Sequence, residues 1–130
     1  MSIGLEQANR VIAAAIQKAQ ELNVKVSVAV CDAAGRLVAF NRMDGCITAG
    51  VYGSPGKAIA SAVFGRPSGE LQDRADTPIV RGIIAAEGGH MIASKGAVPI
   101  FRDGVLIGAC GVGGASSEQD EDIARTAVNC

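Results

Sequence analysis

Valines that alternate with other residues form the most restrictive pattern in this chain. Residues 24–31 place Val at every second position, the period of a β-strand that buries one face. Residues 32–35, Asp-Ala-Ala-Gly, are typical of a turn, because Asp bonds to nearby backbone and Gly accepts the left-handed conformation. Residues 36–43 read as a returning strand. The region therefore predicts a β-hairpin and, with it, an antiparallel sheet.

A second hairpin is expected near the end of the chain. Residues 97–102 and 105–112 have strand-like composition and are joined by Asp103-Gly104, a strong hairpin-turn dipeptide. Residues 90–92 are predicted to form a further short strand.

Helices are expected before, between and after the strands. Residues 5–22 carry apolar side chains on one stripe, and residues 116–119 have the spacing of a capping box for a last helix. A third helix is predicted from Lys57 to about Phe64, with Ser54 as cap and Pro55 at the first helical position. Shorter helical pieces are expected at 68–71 and 79–86.

The order of these elements predicts one α+β domain over residues 1–130. Its expected core is a five-stranded antiparallel sheet with helices covering both faces, an αβα layered sandwich. A chain of 130 residues is about the usual length of one domain.

Composition excludes several classes of function. Aromatic residues make up 3% of the chain and the net charge is −1, so neither a stacking platform nor a basic face for nucleic acid is expected. The N-terminal residues do not resemble a signal peptide, and no apolar run is long enough to span a membrane. We therefore expect a cytoplasmic protein with no membrane or nucleic-acid partner.

The four cysteines are predicted to be structural. Cys31, Cys46 and Cys110 lack metal-binding spacing and are interpreted as small buried hydrophobes, while Cys130 is expected to be an exposed thiol. No metal site is predicted within one chain.

Charged residues beside glycines are the first candidates for a ligand site. Lys57 follows Pro55-Gly56 at a predicted helix start, where its ammonium and open backbone N–H groups could hold a carboxylate. The alternative is a solvated surface lysine. Arg42 and Asp44 flank Met43 at a strand end, where a surface ion pair is the competing interpretation.

A glycine-rich run precedes the last helix. Residues 108–114 lack the spacing of a dinucleotide or phosphate loop, and Glu118 and Asp120 already place negative charge at the helix start. The run is interpreted mainly as a sharp turn with close packing. Gly111, Gly113 and Gly114 are nevertheless candidates for lining a pocket together with Glu118.

His90 is the only imidazole in the chain. It cannot form a Ser-His-Asp triad or a multi-His metal site within one chain. It is either a half-buried polar residue or an axial haem ligand, and Met43, Met91, Tyr52 and the cysteines complete the inventory of haem ligands.

Several blocks together resemble the GlcG/HbpS family, also called the haem-degrading or PduO C-terminal domain family. The blocks lie in residues 30–45, which contain Arg-Met-Asp-Gly, and in residues 57–68, 98–100 and 107–121. The resemblance implies a five-stranded, profilin-like αβα sandwich that assembles into homotetramers or homo-octamers. It also implies haem binding in some members and a setting in small-molecule catabolism. The first helix, however, contains no His, the haem ligand of some members.

Two functions remain open at this stage. The first is an oligomeric small-molecule-binding protein of a catabolic pathway, binding haem or a corrinoid by family resemblance, with no cofactor required by the sequence itself. The second is a cofactor-free isomerase, hydratase or hydrolase acting on a small carboxylated metabolite. There Lys57 or Arg42 would bind the carboxylate, and Asp44 or Asp120 would act as acid or base.

Overall fold

Helices and strands alternate along residues 1–129, the part of the chain that the computed structural model describes. Their order is α1 (Leu5–Glu21), β1 (Ser27–Asp32), β2 (Leu37–Arg42), α2 (Ala49–Phe64), a 3₁₀ helix (Ser68–Arg74), α3 (Pro78–Ala86), β3 (Ala97–Arg102), β4 (Val105–Gly113) and α4 (Ser117–Val128). The prediction for Cys130 lies outside the described residues.

The strands form one antiparallel sheet in the order β2-β1-β4-β3. Both predicted hairpins, β1/β2 and β3/β4, are confirmed. The two hairpins are joined at the centre of the sheet by β1 and β4, where Val28 lies opposite Val112. The α+β class is therefore confirmed.

The predicted fifth strand is wrong: the sheet within residues 1–129 has four strands. Residues 90–92 belong to no strand and run along α2, where the Ile92 N–H donates to the Gly56 carbonyl. The Ile92 side chain lies against Gly56, so that a Cβ at Gly56 would be 2.6 Å from its Cδ1. The Ile92 N–H is therefore bonded to the α2 backbone and not to a neighbouring strand of the sheet.

The two faces of the sheet bury different kinds of side chain. Val26, Val28 and Val30 are fully buried in the main hydrophobic core, which also includes residues of α1 and α4. Because alternate residues of a strand point to opposite faces, Ala29 and Cys31 face α2 instead. The small residues on that face let α2 approach the strands closely, as Gly111 shows: a Cβ there would overlap the Ser54 carbonyl oxygen.

The start of the helix that carries Lys57 is also corrected. α2 begins at Ala49, eight residues before the predicted start, so Pro55 lies inside the helix and Lys57 lies in its middle. The reason is tertiary: Gly50 packs on β4 so closely that a Cβ would be 2.8 Å from the Gly113 carbonyl oxygen. Packing outweighs the weak helix propensity of this glycine-rich segment.

The start of α4 follows the prediction. Ser116 and Gln119 form the expected capping box, in which the Ser116 side chain accepts the Gln119 backbone N–H. This cap fixes the first turn of α4, which contains Asp120. None of the helices in residues 1–129 has the length and apolar character needed to cross a membrane.

Candidate functional site

Lys57 and Asp120 form an ion pair in the protein interior. The Lys57 Nζ lies 3.3 Å from Asp120 Oδ2, and the two side chains are only 8% and 5% exposed. The second carboxylate oxygen, Oδ1, accepts the Ala115 N–H at 3.0 Å. The pair connects α2, on one face of the sheet, with α4, on the other face. Lys57 is therefore neither a solvated surface lysine nor a helix-start cation.

Burial dominates the electrostatics of this pair. Desolvation raises the pKa of the Asp120 carboxyl above its ordinary value, although the Lys57 ammonium and the Ala115 N–H act in the opposite direction. Asp120 therefore lies in a low-dielectric setting, where its charge depends on Lys57.

The glycines of the predicted loop lie where α2 meets β4. Gly111 and Gly113 are covered by α2, and a Cβ at Gly113 would be 3.0 Å from the Gly50 carbonyl oxygen. Gly114 has a φ of 120°, and a Cβ there would be 2.8 Å from Cys46 Sγ. Close packing against neighbouring atoms thus explains why glycine occupies these three positions. Next to them, the Ser54 Oγ is buried without a hydrogen-bond partner in the described chain.

Arg42 and Asp44 lie at a different place from Lys57 and Asp120. They line a surface depression of about 340 Å³ whose lining includes Lys25 but neither Lys57 nor Asp120. Arg42 donates to the Cys46 carbonyl oxygen at 2.7 Å. The surface ion pair considered for Arg42 and Asp44 is not among the ion pairs of residues 1–129. Glu118 is exposed in the first turn of α4.

His90 is exposed, not half-buried, and lies at the wall of an apolar groove. The groove has a volume of about 240 Å³ and runs between the outer side of α2 and the segment that follows α3. Its lining residues are Val51, Tyr52, Pro55, Gly56, Ile59, Gly89, His90 and Ile92. Of the candidate haem ligands selected from the sequence, His90 and Tyr52 therefore both line this groove.

A larger depression of about 460 Å³ lies beside α1. It is lined by Gln7, Arg10, Val11, Ala13, Ala14, Gln17, Ile100 and Val128. None of these side chains is His, Cys, Met or Tyr, the usual protein ligands of haem iron. This depression can enclose an apolar group but offers no usual ligand for haem iron.

The three cysteines within residues 1–129, Cys31, Cys46 and Cys110, are buried and free. Burial raises the pKa of Cys31 and of Cys110 to about 12, so both thiols are protonated at neutral pH. The part of the chain that the structure describes has no group of three or more His, Cys, Asp or Glu side chains that could hold a metal ion.

The described residues form an α+β fold with a four-stranded antiparallel sheet and helices. Residues 3–129 match the family of the haem-degrading protein HbpS. The chain belongs to this HbpS-like family, and the resemblance drawn from the sequence blocks is confirmed.

Curated relatives include proteins of different length. The chain is 30% identical over 129 residues to the corrinoid adenosyltransferase PduO of Salmonella typhimurium, covering 98% of this chain but 38% of that protein. It is 35% identical over 107 residues to protein GlcG of Escherichia coli, covering 82% of this chain and 78% of that protein. The chain thus spans well under half of the PduO relative.

Solved structures share the whole fold. Protein ORFY of Klebsiella pneumoniae superposes with a TM-score of 0.88 at 29% identity, covering 98% of this chain and 89% of that one. The structure of a PduOC complex with haem gives a TM-score of 0.86 at 30% identity, covering 99% and 94%. HbpS of Streptomyces reticuli gives 0.86 at 26% identity, covering 99% and 86%.

Several lining residues carry no signal in the sequence. Pro55, Ile59 and Ile92 form walls of the His90 groove because residues 88–92 cross α2, which follows from tertiary packing alone. Lys25, by contrast, lies near Arg42 because the start of β1 pairs with the end of β2, a neighbourhood that the predicted hairpin already implied.

Proposed function

We propose that this protein binds haem in the groove between α2 and residues 88–92, with His90 as the axial ligand. The observation that carries the proposal is that the only imidazole of the chain lines an apolar groove. Membership in the HbpS-like family and the fold shared with a PduOC protein solved in complex with haem support the same ligand class.

The groove of about 240 Å³ can hold only one edge of a haem, so most of the macrocycle would lie outside it, and the residues of the groove suit this partial contact. A ring nitrogen of His90 can coordinate the iron. Tyr52, with 72% of its surface exposed, offers its phenol oxygen as a second donor at the same groove. Val51, Ile59 and Ile92 provide apolar contact for the macrocycle. Bound haem would supply a redox-active iron. The small number of aromatic side chains in the groove predicts modest affinity.

A haemin titration tests this proposal. The wild-type protein should shift the Soret band of haemin, and His90→Ala should weaken binding about tenfold or more, because a direct iron ligand is lost. Ala13→Trp, which fills the depression beside α1, is the matched control and should leave the titration unchanged.

Two outcomes contradict the assignment. In one, haemin produces no Soret shift with the wild-type protein. In the other, His90→Ala binds as the wild type does while Ala13→Trp does not, which places the ligand beside α1. Cobalamin, titrated in parallel, separates a corrinoid preference from haem.

We also propose self-association into a homotetramer or homo-octamer. Large apolar side chains are exposed on and around α2 and α3, among them Ile47, Tyr52 and Ile79, and exposed apolar surface is typical of protein–protein contacts. Light scattering on the eluting protein should give four or eight times the mass of one chain; a monomer at micromolar concentration contradicts the proposal. The proposed setting is small-molecule catabolism, as the resemblance implies, and the proposed compartment is the cytoplasm.

A cofactor-free enzyme acting on a small carboxylate is the second candidate. Its four proposed residues are divided between two places, since Lys57 and Asp120 are buried together while Arg42 and Asp44 line a surface depression. The raised pKa of Asp120 suits an acid or base. The closed environment of Lys57 gives this candidate less support than haem binding has.

A further inference from the structure

We propose a second ligand site, separate from the haem groove, in which Lys25, Arg42 and Asp44 bind a small organic carboxylate that also carries a hydrogen-bond donor. The depression that these three residues line has a volume of about 340 Å³. This volume lies at the lower end of the range for small-molecule sites, so it suits a ligand of a few carbon atoms.

Two cations, Lys25 and Arg42, line this depression together with Asp44. Neither Lys25 nor Arg42 takes part in an ion pair within residues 1–129. Together with Asp44 they give the depression a local charge of +1, although the whole chain has a net charge of −1. This local positive charge favours an anionic ligand.

The backbone holds the depression in shape. The Met43 N–H donates to the Val26 carbonyl oxygen at 3.0 Å, and the Val26 N–H approaches Met43 Sδ at 3.4 Å. These contacts fix the backbone next to Lys25 and next to Arg42. The Arg42 guanidinium is oriented by its 2.7 Å bond to the Cys46 carbonyl oxygen, which uses one Nη and leaves other N–H groups for a ligand.

The three polar groups define the ligand class. Arg42 and Lys25 can donate charge-assisted hydrogen bonds to one carboxylate. The Asp44 carboxylate accepts hydrogen bonds only, so it selects a hydroxyl or ammonium group on the same molecule. Ile16 and Met43 supply apolar wall for a short carbon chain.

Three probes of similar size test the site by chemical-shift changes in NMR spectra. They are 3-hydroxybutyrate, butyrate, which lacks the hydroxyl, and 1,3-butanediol, which lacks the carboxylate. We expect 3-hydroxybutyrate to shift the amide signals of residues 24–26 and 42–45 at millimolar concentration, butyrate to bind several-fold more weakly, and the diol not to bind.

Charge-neutral variants assign the contacts. Lys25→Gln and Arg42→Gln should each weaken 3-hydroxybutyrate binding about tenfold, as expected for one hydrogen bond to a charged group. Asp44→Asn should remove the preference for 3-hydroxybutyrate over butyrate. Lys18→Gln removes the same charge from a half-buried α1 residue outside the depression and should change nothing.

The proposal is overturned if the wild-type amides do not shift at 20 mM of the probe, or if Lys25→Gln binds as Lys18→Gln does. Because the Arg42 side chain also bonds to backbone, the amide spectrum of each variant is checked for the native fold, and Lys25→Gln decides the question if Arg42→Gln does not fold. His90→Ala should bind the probes as the wild type does, which separates this site from the haem groove.

Discussion

Replacing Lys57 by methionine should lower the free energy of unfolding by about 3–5 kcal/mol, the usual cost of removing one partner of a buried ion pair. The substitution leaves Asp120 in the interior with only the Ala115 N–H as a partner. Urea unfolding at neutral pH measures the loss. The loss should shrink as the pH is lowered, because a buried carboxyl that has lost its cation takes up a proton more readily in the folded state.

The double variant Lys57→Met/Asp120→Leu isolates the cause. Removing both charges takes away the desolvation cost, so the double variant should regain most of the stability lost in Lys57→Met. Lys18→Met, at a half-buried position of α1 that takes part in no ion pair within residues 1–129, should stay within about 0.5 kcal/mol of the wild type. A Lys57→Met protein as stable as Lys18→Met contradicts the role assigned to the pair.

Gly111→Ala should be the most damaging single-methyl addition in the sheet. The new Cβ would overlap the Ser54 carbonyl oxygen and would lie 2.8 Å from the Ala58 backbone nitrogen. Backbone atoms of a packed helix cannot move aside as a flexible side chain can, so the sheet and α2 must separate. We expect a loss of about 3 kcal/mol or more in thermal or urea unfolding, at the upper end for overpacked cores.

Gly82→Ala is the matched control for this prediction. Gly82 lies inside α3, and a Cβ there meets no other atom within 4 Å. Because Ala favours a helix over Gly, this variant should gain about 0.5–1 kcal/mol. If Gly111→Ala behaves like Gly82→Ala, the close contact between α2 and β4 does not exist in solution.

Local patterns predicted the parts of the fold that local physics decides. The valine alternation and the two turn signals produced both hairpins, and Ser116 and Gln119 predicted the start of α4. The errors occurred where tertiary contacts outweigh local preference. Gly50 is a poor helix former that lies in α2 because it packs on β4, and residues 90–92 bond to α2 instead of a strand.

The site was predictable in its residue types more than in its arrangement. Lys57, Asp120, Arg42, Asp44 and His90 could be selected from the sequence because each has chemistry beyond packing. Their grouping could not, since α2 and α4 lie on opposite faces of the sheet and only the folded chain shows that Lys57 reaches Asp120. The helix start expected at Lys57 also suggested an open anion site, whereas the longer α2 encloses this side chain.

The position of the iron tests the central claim most directly. A crystal of the protein grown with haemin, measured at the iron absorption edge, gives an anomalous peak that locates the metal without reference to the macrocycle. We predict a peak within coordination distance of a ring nitrogen of His90, in the groove that Tyr52 and Ile59 also line. A peak over Ala13 and Ala14 beside α1, away from His90, would contradict the assignment.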